Sequence, residues 1–209
     1  MRRLAISVGA ATAVFVCSTA AMAAPKNHDG FMLRLGPTFG PLSVTETPEV
    51  NGTEGAEVKA SGFATGLELL LGGTPAPGLT VGGALLYSQT KDPTLEAGGR
   101  EVEADGTLLI LSTDVFVQYY FDPTQGFHVQ GMLGYGVLDT VRSDGSSGGN
   151  DPAGLHLALG AGYDFWIADE WSVGPFLRVQ FANYTAEEGP VKVTENFLFP
   201  TLGVSFTYH

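Results

Sequence analysis

The segment LILSTDVFVQYYF, residues 109–121, alternates with a period of two. Leu109, Leu111, Thr113, Val115, Val117, Tyr119 and Phe121 point one way, and Ile110, Ser112, Asp114, Phe116, Gln118 and Tyr120 the other. A helix would repeat every 3.6 residues, so this pattern specifies a strand with one apolar face. The pattern recurs downstream. Over 127–141, Phe127, Val129, Gly131, Leu133, Tyr135 and Val137 oppose His128, Gln130, Met132, Gly134 and Gly136. Over 155–167, Leu155, Leu157, Leu159, Ala161, Tyr163, Phe165 and Ile167 oppose His156, Ala158, Gly160, Gly162, Asp164 and Trp166.

Extended along the chain, the reading gives eight strands: 30–46, 59–72, 79–90, 107–121, 127–142, 154–168, 171–185 and 196–208. Short turns at 73–78, 122–126 and 168–170 alternate with long polar connections at 47–58, 92–105, 143–153 and 186–195. Strict alternation sends every short turn to one rim, together with both termini, and every long loop to the other. An even, up-and-down, antiparallel β-barrel has this arrangement.

The composition of the two faces decides what surrounds the barrel. One carries Leu67, Leu69, Leu71, Leu79, Val81, Leu85, Tyr87, Trp171, Val173, Leu177, Val179, Phe181, Leu202, Val204, Phe206 and Tyr208. The other carries Arg34, Glu68, Asp114, Gln118, Gln130, Asp164, Arg178 and Gln180 among many glycines. A soluble barrel puts Lys and Glu outside, but this chain is 44% hydrophobic, 15% charged and holds 29 Gly. The apolar face therefore meets lipid, and the sheet must close, because an unpaired edge group costs several kcal/mol in hydrocarbon. The expected fold is all-β: an eight-stranded antiparallel up-and-down transmembrane β-barrel over residues 30–209, with Tyr119, Phe121, Phe127, Phe165, Trp171, Phe206 and Tyr208 as an aromatic girdle at the short-turn rim.

Arg2 and Arg3, the apolar run Leu4–Val16 and the small residues around Ala21-Met22-Ala23 read as a signal peptide over 1–23, followed by a short N-terminal segment, 24–29. The only cysteine, Cys17, lies in the leader, so the remainder has no disulfide. Ten basic residues oppose 22 acidic ones for a net charge of −12, and losing Arg2 and Arg3 leaves −14. Nucleic acid is excluded as a partner, since a phosphate backbone demands clustered Lys and Arg.

With alternation, short turns, long acidic loops and a last strand Leu202-Gly203-Val204-Ser205-Phe206-Thr207-Tyr208, the chain resembles the small Gram-negative outer-membrane β-barrels of the OmpA/OmpX-like type, with OmpW-like barrels as near relatives. The resemblance implies location in the cell outer membrane, periplasmic termini, and insertion by the barrel assembly machinery through the C-terminal strand. His209 departs from the aromatic end that such a strand carries. The implied role is structural or surface-interacting, in a monomer; the alternative is an OmpW-like narrow, porin-like channel for small solutes. Some small barrels are lipid-modifying enzymes, but the His-x-Ser pattern of the deacylases is missing at His28, His128 and His156, so no enzyme is expected.

Two sets of residues are candidates for function. Arg34, Glu68, Asp114, Asp164 and Arg178 form a lumen charge cluster, expected to pair as a structural plug, with Arg34 beside Glu68 at similar depth. The inward aromatics Phe116, Tyr120, Trp166 and Phe176 read as lumen filler. The four long loops hold 13 acidic residues against Arg100 and Lys192. Among those acids, Glu101, Glu103, Asp105, Asp144 and Asp151 are candidate divalent-cation contacts toward lipopolysaccharide. No His/Cys spacing indicates zinc, and no cofactor is expected.

Overall fold

The structure, a computed structural model, describes residues 27–143 and 151–209. The expected signal peptide over 1–23, the start of the 24–29 segment and Asp144 lie outside the described residues. Among the described residues twelve β-segments follow one another: β1 Gly30–Val50, β2 Thr53–Glu54, β3 Val58–Ala76, β4 Leu79–Lys91, β5 Thr94–Ala97, β6 Arg100–Glu103, β7 Gly106–Tyr120, β8 Phe127–Arg142, β9 Ala153–Tyr163, β10 Phe165–Trp166, β11 Trp171–Glu188 and β12 Val191–Tyr208. Eight of them, β1, β3, β4, β7, β8, β9, β11 and β12, pair antiparallel in ring order. The ring closes where β12 meets β1, in a register running from Leu33 opposite Tyr208 to Val50 opposite Val191.

The alternation read from the sequence is the alternation of exposure. Along β7, Leu111, Val115, Val117 and Tyr119 are exposed while Ile110, Ser112, Asp114, Phe116, Gln118 and Tyr120 are buried in the lumen. Leu67, Leu133, Leu157, Leu177 and Leu202 extend the exposed aliphatic belt onto other strands. At the short-turn rim Tyr119 meets Phe121 edge to face with ring centroids 5.3 Å apart, and Phe121 stacks on Phe127 at 5.6 Å. Trp171 on β11 meets Tyr208 at 5.3 Å, and Tyr208 meets Phe31 of β1 at 6.4 Å, so the aromatic girdle crosses the closing strands.

The long-loop rim differs from the expectation. The 92–105 connection is a hairpin, β5–β6, turned by Gly98 and Gly99 at φ +58° and +75°. The 47–58 connection continues β1 into a second small hairpin turned by Asn51 and Gly52, at φ 51° and 79°. Paired left-handed residues of this kind make the tight turn whose twist matches the flanking strands. The 186–195 connection is no loop at all: β11 and β12 stay paired up to Glu188 opposite Val191, around Gly189 and Pro190. In the sixth strand, expected to run unbroken over 154–168, Asp164 sits between β9 and β10 and its amide bonds to the Gly126 carbonyl instead.

A barrel closed by β1 and β12 resists detergent until heated, so unboiled and boiled samples should migrate differently on a detergent gel. Equal mobility would show that the ring is not closed in solution.

Candidate functional site

The barrel holds three polar layers of inward side chains, the lowest at the short-turn rim, and an apolar layer beyond them. In the lowest, Arg34 on β1 reaches side chains on β7 and β12 and Asp164 between β9 and β10. Its guanidinium donates to Asp164 Oδ2 at 2.8 Å, Gln118 Oε1 at 2.8 Å, Thr207 Oγ1 at 2.9 Å and the Tyr120 hydroxyl at 3.4 Å. Asp164 Oδ2 also accepts from the Tyr120 hydroxyl at 2.7 Å, and its Oδ1 accepts from Ser205 at 3.2 Å. His128 Nδ1 lies 3.0 Å from the Gly126 carbonyl, which assigns the proton there and leaves Nε2 as an acceptor 3.4 Å from Arg34.

The second layer hangs from the first through two glutamines. Gln118 Oε1 accepts from Gln130 at 2.9 Å, and Gln130 Oε1 accepts from Arg178 at 2.9 Å. Arg178 Nη1 meets Glu68 Oε2 at 2.7 Å as a Coulombic pair without a well-aligned hydrogen bond. The same guanidinium lies 4.9 Å above the Phe176 ring, which occupies the space a side chain at Gly203 would need. Asp164, Arg34, Gln118, Gln130, Arg178 and Glu68 thus form one unbroken polar chain through the lumen. The space among Arg34, His128, Gln130, Phe176 and Arg178 has no room for a water molecule.

A third polar group lies farther in. His156 Nδ1 is 2.6 Å from Asp114 Oδ1, Ser112 donates to Asp114 Oδ2 at 2.8 Å, and His156 Nε2 is 3.3 Å from Gln180 Oε1. Beyond it toward the hairpin rim, Leu42, Val44, Ile110, Leu138, Tyr184, Phe197 and Phe199 close into an apolar cluster.

All five expected charges face the lumen and are buried, but their pairing differs from the expectation. Arg34 pairs with Asp164 and Arg178 with Glu68; Arg34 and Glu68, expected as neighbours, take different partners. Asp114 stands apart from both arginines, with His156 as its partner. Tyr120, expected as filler, is a hydrogen-bonding member of the Arg34 cluster. On the hairpin rim Glu101, Glu103, Asp105 and Asp151 are exposed. Glu101 stands directly opposite Glu96 in the β5–β6 hairpin, and Glu103 and Asp105 flank a hollow shared with Asp92.

One group of residues was not marked by the sequence pattern. His28, just before β1, tucks under the barrel; its amide bonds to the Pro123 carbonyl at 3.0 Å and its ring stacks on Tyr120 with centroids 3.7 Å apart. Trp166 covers its other side at 4.7 Å, and His209, just past β12, meets it edge-on at 4.4 Å. Burial pushes the His28 imidazole down to about 4 and that of His209 down to about 3, so both are neutral at pH 7. Their separation in the chain hides the contact; only closure of the ring brings the two ends together.

A family model described as the autotransporter β-domain matches residues 45–188. No curated protein matches the chain. Among solved structures, the outer membrane protein OprG of Pseudomonas aeruginosa is similar at 17% identity, covering 88% of this chain and 99% of its own with a TM-score of 0.54. Neisserial surface protein A is similar at 13% identity, with 84% and 96% covered and a TM-score of 0.46. The outer membrane protease OmpT of Escherichia coli is similar at 9% identity, with 88% and 97% covered and a TM-score of 0.41. At these identities the likeness is one of fold, and OprG alone of the three carries it at a TM-score above 0.5. The fold is that of a small Gram-negative outer-membrane β-barrel.

Removing one partner of a buried ion pair strands the other, at a cost of about 3 to 5 kcal/mol. Arg34→Ala and Arg178→Ala should each lower the urea midpoint of unfolding, and Arg34→Ala the more, because it strands Asp164 and breaks four further hydrogen bonds, to Gln118, Thr207, Tyr120 and His128. A midpoint equal to the parent protein in both variants would mean that neither pair forms.

Proposed function

The chain belongs to the autotransporter β-domain family, and on its closed and filled barrel we propose that it is a non-conducting outer-membrane protein with a structural or surface-interaction role rather than an enzyme. The observation that carries this reading is the unbroken polar chain from Asp164 to Glu68, capped toward the hairpin rim by the apolar cluster around Phe197 and Phe199. A solute would have to break two buried ion pairs and then cross an apolar layer. The short-turn rim and both chain ends face the periplasm in this reading, and the hairpins face the medium. The protein is a monomer, inserted by the barrel assembly machinery through β12, whose Leu202, Val204, Phe206 and Tyr208 alternate toward lipid.

The hairpin rim supports a surface role. Like charges stand directly opposite each other at Glu96 and Glu101 and at Glu49 and Glu54, with Lys192 on the other side of Glu49; without a cation, such an arrangement destabilises paired strands. Hard divalent cations suit clustered carboxylates. Exposed charges still feel one another within about 8 to 10 Å at physiological salt, so Ca²⁺ or Mg²⁺ held at Glu101, Glu103, Asp105 and Asp151 would bridge the rim to lipopolysaccharide phosphates.

In planar bilayers the purified protein should show no steady single-channel conductance; discrete, persistent steps would overturn the plug in favour of a narrow channel. Millimolar Ca²⁺ should raise thermal stability more in lipopolysaccharide than in neutral detergent, and E101Q/E103Q/D105N should shrink that difference. An equal rise in both media would remove the bridging role.

A further inference from the structure

We propose that His28, Asp164 and His209 form a binding site for one divalent transition-metal ion of the zinc class at the periplasmic mouth of the barrel. The geometry is independent of whether the lumen conducts. One ligand atom from each of the three residues lies within 4.8 Å of the others. His28 Nδ1 and His209 Nδ1 face each other at 3.2 Å. Two nitrogens bound to one tetrahedral zinc at about 2.0 to 2.1 Å stand about 3.3 Å apart. The histidine pair is therefore already spaced as ligands, and only the carboxylate has to draw in.

The surroundings prepare those atoms for a metal. His209 Nε2 lies 2.9 Å from Ser172 Oγ. With that nitrogen protonated and donating to Ser172, His209 Nδ1 presents a bare lone pair to His28. A hydroxyl or carbonyl fixing the far nitrogen is how metal-binding imidazoles are generally held in the right tautomer. Stacking between Tyr120 and Trp166 fixes the His28 ring; its buried Nε2 makes no well-aligned hydrogen bond, with the Gln125 backbone carbonyl as the polar group beside the ring. Without a metal, the two facing nitrogens must share a single proton. Asp164 Oδ2 is committed to Arg34 and Tyr120, but Oδ1 accepts only the 3.2 Å bond from Ser205 and retains a lone pair.

The donor set selects the cation. Arg34 already balances the charge of Asp164, so affinity must come from the two imidazole nitrogens rather than from net negative charge. Imidazole suits Zn²⁺, Ni²⁺ and Cu²⁺, whereas Ca²⁺ and Mg²⁺ require oxygen cages. His209 is half-buried, which leaves the site open on the side away from the lumen for a water as fourth ligand. The ion would tie the segment before β1 to the end of β12, across the seam at which the ring closes.

The test is a calorimetric titration with Zn²⁺ on untagged protein purified from membranes, stripped with chelator and held in neutral detergent with millimolar Mg²⁺ to saturate the acidic rim. One Zn²⁺ should bind per chain and raise the melting temperature. His28→Phe keeps the ring stack on Tyr120 and Trp166 and removes the nitrogens; it and His209→Ala should each abolish that binding. Ser172→Ala should weaken it by about 10 to 100-fold, since the hydroxyl only orients a ligand. Each variant is first checked for a heat-dependent gel shift, so that loss of binding is not loss of fold. Absence of stoichiometric Zn²⁺ binding by the parent protein, or parent-like binding in both histidine variants, would overturn the site.

Discussion

Pairing between β1 and β12 is the contact on which the rest of the molecule depends. Hydrocarbon offers no hydrogen bonds, so a sheet with two free edges could not remain in it. From Leu33 opposite Tyr208 to Val50 opposite Val191, that seam removes both edges at once. Once it forms, the period-two alternation has only one arrangement: aliphatic rows face lipid and every polar row is gathered into a bore that eight strands leave scarcely wider than side chains. The charges at Arg34, Glu68, Asp164 and Arg178 are buried because closure buries them, and each then has to find a partner.

The narrowness of the bore explains the glycines. A side chain at Gly134 would collide with Asp114, one at Gly162 with His128, and one at Gly203 with the Phe176 ring. Each absence makes room for a polar or aromatic group on a neighbouring strand. Large inward residues and inward glycines therefore interlock across strands, and the lumen fills without voids along the polar chain. The high glycine content of the sequence follows from this packing more than from turns.

Much of this was legible in the sequence, and the failures have particular causes. Alternation depends only on neighbours along one strand, so the strand count, the facing of each residue and the girdle could be read directly from segments such as 109–121. Ion-pair partners depend on depth and on contacts across the lumen. Arg34 and Glu68 are on adjacent strands, yet Arg34 crosses the bore to Asp164 and Glu68 meets Arg178, which no strand-by-strand pattern specifies. The outer connections read as loops because their acids and glycines hid two turn signals, Asn51-Gly52 and Gly98-Gly99, that in fact mark hairpins. His28 and His209 lay outside the alternating segments, and ring closure alone makes them neighbours.

The use of ions rather than more leucine in the bore follows from register. Replacing a buried ion pair with apolar groups is often neutral or stabilising, so net stability is a weak reason for Arg178 and Glu68. A slip by one residue, however, exchanges the two faces of a strand. In β11 it would turn Arg178 onto lipid, costing about 2 to 4 kcal/mol at the membrane midplane, and would strand Glu68 in the lumen. A bore filled only with aliphatic residues would present nearly the same chemistry on both faces, and lipid would not distinguish them. The buried charges thus make the correct register of β1, β3, β7 and β11, which carry Arg34, Glu68, Asp114 and Arg178, the only inexpensive one.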